Sequence, residues 1–240
     1  MVNPWLQFLI SAAAIVYAGS ELTRNTAIIA NITGIGKAWA GALMLPLVTS
    51  LPELVTTVRA VSIAAPDLAP GNILGSCLYN LALLAIIDFL EGRGALTARL
   101  SQGHIMTVSL GVITTCLALI GMLGIGLFSI GWIGVETLLI ALVYITGSRM
   151  IYRYERKNMP PVATGDYLHK KQTTQARDIA IIKFIIAALV IIIAGIFITD
   201  ASDQIAYKTG LGHSFVGSIF LAISTGLPET ETTIAAVRLG

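Results

Sequence analysis

Two glutamates stand in apolar segments and share one context. Thr49-Ser50-Leu51-Pro52-Glu53-Leu54-Val55-Thr56-Thr57 recurs as Thr225-Gly226-Leu227-Pro228-Glu229-Thr230-Glu231-Thr232-Thr233. A proline inside a helix has no N–H, so the carbonyl four residues back, Val48 or Ser224, loses its helical partner. Bare carbonyls are costly in hydrocarbon unless they line a cavity or bind something. Beside each break stand hydroxyls (Thr49, Ser50, Thr225) and a carboxylate (Glu53, Glu229). Carbonyl, hydroxyl and carboxylate oxygens are what a hard cation takes, and Ca2+ gathers about 6–8 of them in a flexible shell. Cys and His, which softer metals prefer, are absent from both segments. A proline kink whose glutamate bonds a neighbouring helix would explain one such motif. Two copies favour an ion site.

A third segment adds Gly71-Asn72-Ile73-Leu74-Gly75-Ser76-Cys77-Leu78-Tyr79-Asn80. Asn72, Ser76 and Asn80 recur every four residues, so on a helix they form one polar stripe. Gly71 and Gly75 share that spacing and allow a second helix to come close. Interhelical hydrogen bonding alone would account for such a stripe. Its position beside the Glu53 segment points to an ion pathway instead.

The elements that must hold these groups are membrane helices. Of the 240 residues 55% are hydrophobic and only 12% charged, with a mean hydropathy of +0.83. A soluble domain carries about 25% charged residues, so this composition, with apolar runs near bilayer length, predicts an all-α protein in lipid. A net charge of +2 gives no ground for a nucleic-acid partner. Cys77 and Cys116 lie inside apolar segments and read as small packing residues, with no disulfide framework. Seven spans are expected, near 4–20, 38–64, 69–90, 104–123, 127–149, 179–199 and 212–237. No Lys or Arg precedes the first, so it reads as a retained helix and not a signal peptide.

The stretch 149–178 holds Arg149, Arg153, Arg156, Lys157, Lys170, Lys171 and Arg177, with Pro160-Pro161 and Gly165, and reads as a cytoplasmic loop. Counting back, the loops near 88–103 and 21–37, with their Arg and Lys, are also cytoplasmic. Those near 65–68 and 124–126 and the N-terminus are outside. Residues 33–61 match 209–237 without a gap, with thirteen identities in 29 positions. The two copies fall in the second and seventh spans and so run in opposite directions. That is an inverted-topology repeat, in which a transporter places its site at the midplane. Residues 1–148 form the first five-helix repeat and 179–240 an incomplete second one. Glu136 reads as a polar contact between helices, and Asp200 and Asp203 as the watery end of the sixth span. His104, His169 and His213 read as interfacial or solvated, and Trp5, Trp39 and Trp132 as an interfacial belt.

Thr49-Ser50-Leu51-Pro52-Glu53, followed by Gly71-Asn72, Gly75-Ser76 and Asn80, resembles the first alpha repeat of the sodium/calcium exchanger family of cation antiporters. The resemblance implies two inverted five-helix repeats, of which about seven of ten helices lie in this chain. It breaks off within the second alpha repeat, before a second Gly-Asn segment. It implies paired ligation of Ca2+ by Glu53 and Glu229, with oxygens for Na+ or Ca2+ from Thr49, Ser50, Ser76 and Thr225 and with Asn80 as a further pathway ligand; Asn72, from the same polar stripe, is counted as a candidate ligand beside them. Position 226 departs from the family pattern, since Gly stands where a Ser is usual. Glu231 adds a carboxylate where the first copy has Val55.

The expected function is a secondary antiporter of the cell membrane in which entry of Na+ or H+ drives Ca2+ out, with no cofactor. A carboxylate site takes either H+ or Na+, so a proton-coupled exchanger is the alternative. A half subunit that needs a second copy, or another chain supplying the missing helices, is a further one. A membrane-embedded enzyme is disfavoured, because His-Glu-x-x-His, Gly-x-Gly-Asp and Gly-x-Ser-x-Gly are all absent. The topology is directly testable. A tag at position 165 should be labelled only from the cytoplasm and one at position 67 only from outside, and mixed labelling would refute the inverted arrangement.

Overall fold

The computed structural model describes residues 3–33, 45–91, 102–123, 129–130, 133–158 and 174–239. In chain order the helices are α1 (Pro4–Thr33), α2 (Leu45–Thr49), α3 (Leu51–Ser62), α4 (Leu68–Glu91), α5 (Gln102–Met122), α6 (Val135–Asn158), α7 (Thr174–Thr209), α8 (His213–Val216) and α9 (Ala222–Leu239). A π-helical turn, Gly217–Leu221, joins α8 to α9. The strands β1 (Ser129–Ile130) and β2 (Ile133–Gly134) pair antiparallel, Ser129 opposite Gly134. The chain forms two compact units, Met1–Ile87 with His169–Gly240, and Asp88–Leu168.

In the first unit α1 and α7 lie along each other. Their seam is built from large and small apolar residues: Ile15, Ala18 and Leu22 on α1, and Ile191, Ala194, Ile198 and Ala201 on α7, all buried. At 1.5 Å per residue, helices of 30 and 36 residues are about 45 and 54 Å long. A hydrocarbon core is about 30 Å thick, so such helices must tilt or project beyond it. Helix α3 packs on α7 and helix α9 on α1. Each pairing is made at a glycine. A Cβ on Gly19 would lie 2.5 Å from Pro228 Cγ, and one on Gly195 would lie 2.7 Å from Val55 Cγ1. Gly19 and Gly195 are 176 residues apart, which is also the separation of Glu53 from Glu229 and of the helix ends Thr33 and Thr209. The same offset thus relates Gly19 of α1 to Gly195 of α7, and α1 carries the second motif helix while α7 carries the first.

In the second unit α5 packs along α6, with Gly147 against Leu110 and the Glu136 side chain over Gly121 and Gly134. Their remaining faces show apolar side chains such as Val108, Val112, Leu142 and Ile145, the pattern of a surface in lipid.

Several expectations change. Among the described residues five helices are long and apolar enough to cross a membrane: Pro4–Ile29, Leu68–Phe89, Ile105–Met122, Val135–Tyr154 and Arg177–Thr209. The expected spans 38–64 and 212–237 are present among the described residues as interrupted elements, one broken at Ser50 and the other carrying the π-helical turn. The first and sixth helices run well past 4–20 and 179–199. Residues 21–33, expected as loop, are therefore helical, as are 149–158 and 174–178. Charge marked these stretches as loop, but helices that outrun the hydrocarbon carry charges on their ends. Asp200 and Asp203 lie within α7, not beyond it. Both cysteines are free and exposed rather than packed. Trp39, Trp132, Lys37, His169 and the loop centre 159–173 lie outside the described residues, as do the side chains of His104 and Glu231.

The glycine contacts make a prediction. Gly19→Leu and Gly195→Leu should each overpack a helix seam at a cost of about 1–3 kcal/mol, read as a lower melting temperature in detergent. Gly111→Leu, on a face with nothing within 4 Å, should be neutral. Equal effects at all three positions would contradict the packing.

Candidate functional site

The first unit brings both motifs and the α4 stripe together. The break before α3 falls at Ser50, at φ −85° and ψ 7°. This is the sparsely populated bridge region. Helix α3 restarts from the Ser50 carbonyl, which accepts from Leu54 N–H at 3.1 Å. Pro52 stands in the first turn, where no N–H is missed. The second copy solves the same problem differently. Pro228 lies inside a continuous α9, and the irregular backbone is the π-helical turn upstream. Of the two proline motifs, only the first breaks its helix.

A buried network ties three helices. The Thr56 hydroxyl donates to the carbonyls of Pro52 (2.9 Å) and Glu53 (3.0 Å) and accepts from Asn72 Nδ2 (2.9 Å). Asn72 Oδ1 accepts from the Thr225 hydroxyl at 3.3 Å. Thr56, Asn72 and Thr225 are fully buried. Asn72 thus spends its amide holding α3, α4 and α9 in register. Glycines let α4 come this close. A Cβ on Gly71 would lie 2.7 Å from the Ser214 carbonyl oxygen, and one on Gly75 would collide with Ser218.

The two motif carboxylates have unlike surroundings. Glu229 accepts from Asn80 Nδ2 at 2.6 Å and from Ser50 Oγ at 3.5 Å, and both of those residues are exposed. Both carboxylate oxygens of Glu53 are buried, and neither has a hydrogen-bond partner among the described residues. Thr225 lies beside Glu53 and Glu229 is within electrostatic reach. The Thr225 hydroxyl, however, is turned to Asn72 and to the Leu221 and Ala222 carbonyls. Ser76 Oγ and Thr57 Oγ1 are buried oxygens likewise without a partner, and Thr49 is buried. Unpartnered buried polar groups are rare, and each calls for an explanation such as an ion.

Some polar contacts were not foreseen. Tyr79 Oη and Thr230 Oγ1 lie 2.8 Å apart. Arg59 binds Asp200 with two hydrogen bonds of 2.8 and 2.9 Å, and His213 Nε2 lies 2.8 Å from Asp203 Oδ1. Thr56 had a signal, because its motif is repeated. Tyr79, Arg59 and Asp203 had none, since their partners are 10 to 151 residues away in sequence. Glu136 was expected to meet a polar group on another helix. Its side chain lies over Gly121 of α5, and its Oε2 is buried without a partner among the described residues.

An all-α, multi-pass membrane protein with paired carboxylates and unpartnered oxygens beside a broken helix has the make-up of an ion transporter. The model of the family described as sodium/calcium exchanger protein matches residues 3–150 and 179–240. The chain belongs to the sodium/calcium exchanger family, a family of cation and Ca2+ antiporters rather than enzymes. It is 24% identical over 237 residues to the uncharacterised membrane protein MJ0091 of Methanocaldococcus jannaschii, covering 96% of this chain and 71% of that one. It is 23% identical over 239 residues to the inner membrane protein YrbG of Escherichia coli, covering 97% and 70%. No solved structure matches it.

The network makes a second prediction. Asn72→Leu should leave the Thr56 and Thr225 hydroxyls without their amide partner and cost roughly 1–3 kcal/mol, seen as a lower melting temperature in detergent without added ions. Ser76→Ala removes a hydroxyl with no hydrogen-bond partner among the described residues and should leave that temperature unchanged. The reverse order would contradict the arrangement.

Proposed function

We propose that the chain exchanges Ca2+ for Na+ through a site formed by Glu53 and Glu229 with oxygens of Thr49, Ser50, Ser76, Asn80 and Thr225. The observation that supports it most directly is Glu53, whose buried carboxylate has no hydrogen-bond partner among the described residues while a second carboxylate lies within electrostatic reach. Two such charges in an apolar unit repel each other and lack solvation, which disfavours the empty, doubly ionised state. One divalent ion or two monovalent ions neutralise the pair equally well. That equivalence is the electrostatic basis for exchange, because the same groups are satisfied by either cargo in turn. The donor set is all oxygen, as Ca2+ and Na+ require. Asn72 belongs to the site as a positioning residue, its amide already engaged on both sides.

In this reading the sequence repeat corresponds to an inverted pair, with the N-terminus outside and the basic stretch around 149–178 cytoplasmic. The crossed packing of Gly19 on Pro228 and Gly195 on Val55 supports a two-fold relation between the copies.

The test is Ca2+ uptake into proteoliposomes driven by an outward Na+ gradient, with a pH gradient as the parallel arm. Na+-driven uptake is expected, and Glu53→Gln or Glu229→Gln should abolish it while leaving the protein folded in detergent. Uptake driven only by the pH gradient would replace Na+ by H+ as the coupling ion. Unimpaired uptake in both variants would refute the site.

A further inference from the structure

The two halves of the site differ at one repeat-related position, and a tyrosine occupies the difference. With the offset of 176 residues, Ser50 corresponds to Gly226. Ser50 of the first copy donates to Glu229 of the second. The reciprocal bond, from position 226 to Glu53, has no side-chain donor in Gly226, and Glu53 is left without a hydrogen-bond partner among the described residues. The space is not empty. A Cβ on Gly226 would lie 2.8 Å from Tyr79 Cδ1 and 3.1 Å from Cε1. The Tyr79 ring therefore lies against the Gly226 backbone, held there by the contact between its hydroxyl and Thr230. Because the ring is rigid and tethered, a side chain at 226 needs Tyr79 to move.

We propose that Gly226 and Tyr79 form a specificity-determining pair: the ring takes the place of a side chain at 226, so the Glu53 half of the site lacks the hydroxyl that Ser50 supplies to the Glu229 half. This rests on the antiporter reading above and adds which ion the asymmetry affects. Two Na+ ions replace one Ca2+ at the same two carboxylates, and each must gather its own shell of oxygens, so the Na+-loaded site draws on more neutral oxygens than the Ca2+-loaded one. Loss of one hydroxyl weakens Na+ more than Ca2+. Ca2+ binding at the pair is thereby less easily displaced by Na+ than in a site with a hydroxyl on both sides.

The experiment is a Ca2+ titration of the purified full chain at increasing NaCl, with choline chloride holding ionic strength constant. The reading is the NaCl concentration that halves Ca2+ occupancy. Tyr79→Ala/Gly226→Ser should lower that concentration about three- to tenfold relative to Tyr79→Ala/Gly226→Ala, the range expected for one added polar contact. The Ca2+ affinity without Na+ should change less. The two double variants differ by a single oxygen, so cavity effects cancel. Equal Na+ sensitivity in both would overturn the proposal. If the double variants fail to fold, Ser50→Ala decides it: removing the first-copy hydroxyl should raise the halving concentration by a similar factor, and no change would overturn the premise. Absence of Ca2+ binding by the wild-type chain would overturn the antiporter reading and this proposal together.

Discussion

Glu53 places a carboxylate among packed helices with both oxygens out of water and no hydrogen-bond partner among the described residues. In a low-dielectric interior, a lone charge of this kind costs several kcal/mol even after relaxation. The surrounding structure must therefore exclude competing partners from Glu53 and still stay folded. It does so by satisfying the neighbouring groups with one another. Thr56 donates to the carbonyls of Pro52 and Glu53 one turn back, Asn72 bridges Thr56 to Thr225, and Asn80 donates to Glu229. Around Glu53 the described oxygens left over, those of Glu53 itself, Ser76 and Thr57, are all of the kind a hard cation accepts.

Holding polar groups this close requires backbones that approach closely, and in a membrane that is done with small residues. Gly71 and Gly75 admit the segment around Ser214 and Ser218, Gly19 admits the ring of Pro228, and Gly195 admits Val55. Between α1 and α7 the alternation of isoleucine with alanine does the same over a longer seam. The polar network and the small-residue seams are thus one device. Without the seams, the hydrogen bonds of 2.6 to 3.3 Å that tie α4 to α3 and α9 would be out of reach.

The copies are related but unequal. The first interrupts its helix at Ser50 and uses proline as a first-turn residue. The second keeps proline inside a helix and places a π-helical turn before it. Each puts a threonine and a glutamate on the same side of the irregularity. What differs is the company the glutamate keeps, Ser50 and Asn80 for one and an unanswered Gly226 for the other.

Membrane class, the two motif helices and the polar stripe of α4 were legible in the sequence because composition and periodicity are local properties. The repeat was legible as well, because one ungapped offset relates the copies and sets Glu53 and Glu229 at corresponding positions. Helix lengths were misjudged where charges were read as loop. A charge on a helix that extends beyond hydrocarbon looks the same in sequence as one on a loop, and only backbone hydrogen bonding tells them apart. Tertiary structure alone decided that the second proline does not break its helix, that Asn72 is spent on Thr56 and Thr225, and that Tyr79 lies against Gly226. Those outcomes depend on which side chains meet across helices far apart in the chain. Spacing along one helix sets the face a residue shares, but the partner on the next helix is set by packing.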